Sequence, residues 1–202
     1  MNRRQLLLTA LGAAVVTVTG SAPAMAKLYY NTDTNMWEEQ TAPAPRGHGR
    51  YTPIPRAVVP YQGKYKAGTI VVETEERRLY FVLPGGQALK YGIGVGRDGF
   101  RWSGQHTITR KAEWPGWTPP AEMRKRVPDL PAYMPGGPDN PLGARALYLG
   151  QSIYRIHGTN LPQTIGHAVS SGCFRLVNND VADLYDRVPV GTKVVIRQKP
   201  EL

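Results

Sequence analysis

A chain of 202 residues with 25 Lys and Arg against 15 Asp and Glu carries a formal net charge of +10. That length suits one catalytic-sized domain with a good core plus flanking segments, and a single cysteine excludes an internal disulfide framework. The basic surface favours anionic partners such as nucleic acid, acidic lipid or an acidic wall polymer, but no basic run with interleaved aromatics occurs, so nucleic acid is set aside.

The chain opens MNRRQLLLTALGAAVVTVTGSAPAMA. Arg3 and Arg4, an apolar run from Leu6 to about Val18, and an Ala24-Met25-Ala26 finish describe a cleavable secretory signal over residues 1–26. The apolar run is shorter than the roughly 20 residues a spanning helix needs, so no stable membrane span is expected after cleavage. The paired arginines also resemble a twin-arginine signal. Removing 26 residues from 202 leaves 176, and losing two arginines from +10 leaves +8. The expected location is the periplasm or cell envelope, which again argues against nucleic acid.

Residues 27–65 are rich in turn-formers, with Pro43, Pro45, Pro53, Pro55 and Pro60. No periodic apolar pattern runs through them, so they read as an extended arm or linker. Tyr29, Tyr30, Trp37, Tyr51 and Tyr61 argue against plain disorder and suit a strap across the domain or a contact with a neighbour. From Gly68 the pattern changes. "GTIVVET", "RRLYFVL", "ALKYGIGVG", "HTITRKAEW", "ALYLG", "YRIHGT" and "TKVVIR" are short β-branched and aromatic runs between turns. A long Pro/Gly-rich stretch between Trp114 and Leu142 is too long for an idle connection and reads as a functional loop or lid. Near the end, Val181, Leu184, Tyr185 and Val188 make a helical apolar stripe. Asn178 or Asn179 is the expected cap, Asp180 suits the positive dipole end, and Pro189 stops the helix. The expected fold is mainly β, with one late helix, in a catalytic domain spanning residues 66–198.

The candidate chemistry lies in "IHGTNLPQTIGHAVSSGCFRLVNND". A lone free cysteine is either a small buried hydrophobe or a reagent. As a nucleophile, Cys173 needs a base, which His157 can supply across a loop that folds back. It also needs oxyanion donors, which the Ser171-Gly172-Cys173 backbone can supply because glycine permits the turn. His167 reads as a rim residue, and His48 and His106 have no partner in sequence. No metal-ligand spacing such as H-x-x-x-H or C-x-x-C occurs, so no metal is expected.

The segment "HGTN", then "IG", then "SSGCFRLVNND", resembles the active-site signature of the YkuD-like L,D-transpeptidases of bacterial cell walls. Ser170, Gly172, Cys173, Arg175, Leu176, Asn178 and Asp180 fall in its register. "KAGTIVVETEERRLYFV" and "GQHTITRKAEWPGWTPP" resemble the family's earlier segments, so the resemblance covers roughly residues 66–197. It implies a β-sandwich-like domain with one helix near its C-terminal end and long loops. It also implies nucleophile Cys173, base His157 and a Gly158 carbonyl that orients the imidazole. Ser171 stands where the family commonly has His, a departure that bears on the oxyanion turn rather than on the nucleophile. Arg175 is open between binding a substrate carboxylate, together with Ser170, and a structural role, pairing with Asp180 or a loop carbonyl. Asn160 and Asn178 are expected to brace loops.

The implied reaction is acyl transfer from a peptidoglycan stem tetrapeptide, with loss of D-alanine, to a second stem amine in a 3→3 crosslink or to an envelope protein. The resemblance implies no cofactor, and acylation by carbapenems or penems more than by classical penicillins. The alternatives are an L,D-carboxypeptidase or hydrolase, a D-amino-acid exchanger on the same scaffold, or a non-catalytic wall-binding module.

Overall fold

The computed structural model describes residues 27–31, 36–40, 54–126 and 129–198. The proposed signal and His48 lie outside the described residues.

Two short strands, β1 (Lys27–Asn31) and β2 (Met36–Gln40), pair antiparallel with Lys27 opposite Gln40. The rest is a nine-stranded sheet. Its strands are β3 (Ala57–Pro60), β4 (Ile70–Glu73), β5 (Arg78–Leu83), β6 (Gln87–Gly92), β8 (Gly104–Glu113), β9 (Arg145–Leu149), β10 (Arg155–His157), β12 (Phe174–Arg175) and β13 (Lys193–Arg197). The order is β12-β10-β9-β8-β13-β4-β5-β6-β3. A small parallel pair, β7 (Val95–Gly96) with β11 (Ala168–Ser170), lies outside that sheet. All seven runs read as strands from the sequence become strands. The very short β11 and β12 carry too few residues for a period-2 pattern to register.

The sheet curls. Two residues past β6, Gly94 exchanges both backbone hydrogen bonds with Arg175 of β12, each 2.9 Å, so opposite ends of the strand order are tied together. Inside the curl, Ile70, Leu79, Tyr91, Ile108, Leu147, Ile156, Phe174 and Ile196 form the core. Central β4 is buried along its whole length, which explains why "IVV" shows no apolar–polar alternation: both its faces are covered.

The late helix, α2, runs Asn178–Arg187 and buries Val181 and Leu184 against this core, with Val188 buried just beyond it. Each fully buried aliphatic chain of this kind contributes about 1.5–3 kcal/mol relative to exposure. The capping expectation is corrected: the N-cap is Val177, and no side chain caps the helix. Asn178 Oδ1 instead accepts hydrogen bonds from the Ala144 and Thr159 amides, at 3.0 and 3.2 Å, so its side chain is engaged in holding two loops. Asp180 pairs with Arg56, at 3.5 Å, not with Arg175. Burial pushes the Asp180 carboxyl up, and Arg56 only partly offsets this.

The end of the Pro-rich stretch belongs to the sheet. β3 pairs antiparallel with β6, Arg56 also reaches Asp183 at 3.2 Å, and Ile54 packs over Gly92 and Gly166. Proline at position 60 sits on an edge strand, where a missing N–H is tolerated. Residues 115–142 likewise carry structure: a short helix α1 (Ala121–Arg126) and an apolar cluster of Trp117, Met123, Leu130 and Leu142. Asn140 pins this segment, donating to Pro135 O at 2.9 Å and accepting from the Leu142 amide at 2.9 Å.

Deletion of residues 27–60 is expected to lower the melting temperature, because it removes β3, Ile54 and Arg56 together. Arg56→Ala alone should cost about 1 kcal/mol in a chemical denaturation experiment, since the pair is partly exposed. An unchanged midpoint for the deletion would contradict the strap.

Candidate active site

β10 and β12 run parallel, with Ile156 opposite Phe174 and His157 opposite Arg175. Side chains alternate along a strand, so Ile156 and Phe174 enter the core while Arg155, His157, Cys173 and Arg175 take the other face. That face opens into a cavity of about 330 Å³ lined by Phe100, Trp117, Leu142, Tyr154 and these four residues, among others. The volume lies in the range of small-molecule sites. Sixteen positions of sequence separation between His157 and Cys173 are absorbed by a connection that carries a 3₁₀ turn, Pro162–Thr164, and the short strand β11.

His157 is buried, and its Nδ1 lies 2.6 Å from the Gly158 carbonyl. A carbonyl only accepts, so Nδ1 carries the proton and Nε2 is left unprotonated. Burial, then Arg175 and Arg155, lower the His157 pKa to about 3, outweighing the opposing pull of the Gly158 and Leu142 carbonyls. The ring is therefore neutral at pH 7. Cys173 is half-exposed as a residue, but burial of its thiol pushes the pKa up, against the lowering effects of the Arg155 charge, the Arg155 backbone and Arg175. The resting pair is thiol and neutral imidazole.

The turn before Cys173 is held by hydrogen bonds to its backbone. Ser170 Oγ donates to Cys173 O at 2.6 Å and accepts from the Gly172 amide at 3.1 Å. Ser170 lines the cavity, but its hydroxyl is engaged in the turn. The Gly172 amide is engaged there too. Gly172 has φ 105°, and a Cβ there would strike the Tyr154 ring. No side chain fits. Its carbonyl accepts from Trp102 Nε1 at 2.7 Å, and the Trp102 ring stacks on Tyr154 with centroids 4.4 Å apart. Ser171 Oγ is buried without a protein partner.

Asn160 Nδ2 donates to Asp139 O at 3.1 Å, tying the His157 loop to the 115–142 segment. Asn178 bridges Ala144 and Thr159, as described above. Arg175 is buried, at 4 % exposure, directly across from His157. His167 is exposed and its backbone carbonyl holds Val95; His106 meets Trp102 edge-on at 5.2 Å. Sequence reasoning missed Trp102 as a brace and Arg155 as a cavity wall. Arg155 was findable: two residues before His157 on a strand is the same face.

Fold and site together define a curled β domain that presents a cysteine and a histidine side by side in a pocket at one end of its sheet. Residues 67–196 match the family model for the L,D-transpeptidase catalytic domain (YkuD). The chain belongs to that family. It is similar to the probable L,D-transpeptidase ErfK/SrfK of Escherichia coli, 45% identical over 138 residues, which cover 65% of this chain and 44% of that protein. It is also similar to the probable L,D-transpeptidase YbiS of E. coli, 44% identical over 140 residues covering 65% and 45%. The matched segment thus spans less than half the length of these relatives. Among solved structures, the catalytic domain of the E. faecium L,D-transpeptidase shares the fold, with a TM-score of 0.52, 18% identity, and coverage of 67% of this chain and all of that one.

Two titrations check the electrostatics. Iodoacetamide alkylation of Cys173 should keep rising beyond pH 9, because burial holds the thiol protonated; a reactive plateau between pH 5 and 7 would instead reveal a preformed thiolate–imidazolium pair. His157 has its folded pKa depressed, so its contribution to stability is complete above the ordinary value of 6.5 and is lost as pH falls toward about 3. The His157→Asn variant should therefore lose less stability than the parent between pH 7 and 4, and equal slopes would contradict the neutral buried ring. Trp102→Phe, which keeps the stack and deletes the N–H, should destabilise by about 1 kcal/mol.

Proposed function

We propose that this protein is a cysteine-dependent peptidoglycan L,D-transpeptidase acting in the periplasm or cell envelope. The observation that carries the reading is the shared face of Cys173 and His157 inside one cavity, in a chain of the L,D-transpeptidase catalytic-domain family. The donor is a stem tetrapeptide, and the bond attacked joins the L-centre of diaminopimelate to D-alanine. Sγ of Cys173 bonds to the carbonyl carbon while its proton passes to His157 Nε2. The backbone amides of Ser171 and Cys173 hold the oxyanion. On collapse the C–N bond breaks, and His157 returns the proton to the departing amine of D-alanine. An acceptor amine then attacks the thioester, losing a proton to His157 and freeing Cys173.

The apolar wall formed by Trp117, Met123 and Leu142 supports transfer to an amine over hydrolysis, since it limits water at the thioester. Peptidoglycan stems are the partners in this reading. Acceptors other than a stem amine, including an envelope protein, use the same acyl-enzyme.

Incubating the protein with tetrapeptide muropeptides should yield crosslinked dimers by mass spectrometry, and Cys173→Ala should yield none. Tripeptide without dimers would reassign the protein as a carboxypeptidase. Product that persists in Cys173→Ala would remove the thiol from the chemistry.

A further inference from the structure

The cavity does not end the functional face of the sheet. In β8, Ile108 pairs with Leu149 but Arg110 pairs with Tyr148, so one extra residue, Thr109, sits in a bulge. The bulge has a definite consequence. Ile108 and Leu149 both enter the core; by simple alternation Arg110 would follow Ile108 inward. The extra residue instead turns Arg110 to the side of Tyr148. Tyr148 is in turn opposite Arg155 of β10, and Arg155 neighbours Cys173 through the parallel register. One row therefore crosses four adjacent strands: Arg110, Tyr148, Arg155, Cys173.

The row spans three inter-strand gaps, about 14 Å. Its aromatic ring lies between two guanidinium groups, with the Arg110 Cζ 3.6 Å and the Arg155 Cζ 5.5 Å from the ring centroid. Arg110 is exposed, Arg155 half-buried and a wall of the cavity. Other cations of the domain are paired: Arg145 with Glu113, Arg197 with Glu73, Lys125 with Glu122. Among the described residues neither Arg110 nor Arg155 has a carboxylate partner, and Arg155 Nε is buried without any hydrogen-bond acceptor. Two planar cations without carboxylate partners, flanking one ring and in line with Cys173, suit the binding of a carboxylate.

We propose that Arg110, Tyr148 and Arg155 form a carboxylate-binding subsite that extends the catalytic cavity across the sheet and holds an acidic peptide strand in line with Cys173. It rests on the peptidoglycan reading for its natural ligand, because stem peptides bear several carboxylates. Those carboxylates come from the donor stem or from the acceptor stem, and the subsite chemistry is the same for both. Arg155 sets the position nearest the reacting carbonyl, and Arg110 sets the distal one.

The test is binding, not turnover, so that it stands apart from the proposed reaction. Titration calorimetry would use the Cys173→Ala protein with a donor tetrapeptide, the same peptide with its carboxylates amidated, and an acceptor tripeptide. Arg110→Gln and Arg155→Gln are each expected to weaken the carboxylate peptide about tenfold, the value of one charge-assisted hydrogen bond, and to leave the amidated peptide unchanged. Lys193→Gln, an equal loss of charge on an exposed β13 position, should have no effect. Whichever peptide responds to Arg110→Gln identifies the stem held there. Equal weakening of acid and amide peptides, equal weakening by Lys193→Gln, or no effect of either arginine substitution would overturn the subsite. If the carboxylate preference holds while the active protein gives no thiol-dependent product, the reaction assignment fails and the subsite does not.

Discussion

Two backbone pairings, Ile156 with Phe174 and His157 with Arg175, carry the structure. A parallel register fixes which side chains share a face, and a slip of one residue would exchange the two faces of β12. In the observed register the apolar partners complete the core, and the polar ones meet in the cavity. Folding and site assembly are thus one event: the same contact that buries Phe174 delivers Cys173 to His157. The sheet enforces the register from its far end as well, because Gly94 grips Arg175 on the opposite edge of β12. The register is held from both sides.

Burial then sets the chemistry. The low dielectric of the pocket raises the thiol and lowers the imidazole, and the two nearby arginines act on both. Those arginines favour a thiolate and oppose an imidazolium, but burial outweighs them at the thiol, so neither charged partner accumulates at rest. A thiol that is protonated at rest resists adventitious oxidation. The Gly158 carbonyl fixes the tautomer, and Trp102 with Tyr154 fixes the turn, so that positioning is done by groups that take no part in proton transfer.

Much of this was legible in the sequence. The β-branched runs gave the strands, the stripe at Val181, Leu184 and Val188 gave α2, and the Cys–His spacing with its flanking motif gave the family. The cap at Asn178 was misread because a local rule competes with a tertiary one: its amide oxygen satisfies two loop amides that no sequence window connects. The Gly172 amide's bond to the Ser170 hydroxyl was equally hidden, because it depends on how the turn folds. Arg110 was illegible because a bulge changes the face of everything after it, and bulges leave little trace in alternation. β3 escaped notice because prolines mark both linkers and edge strands.

The central claim is that Cys173 receives the acyl group. Intact-protein mass spectrometry after acid quenching of the protein mixed with a stem tetrapeptide tests it most directly. The account predicts an adduct equal to the tetrapeptide minus D-alanine, located on the peptide that contains Cys173. An adduct on any other residue, or turnover without an adduct while product accumulates at a rate Cys173→Ala does not alter, would contradict it.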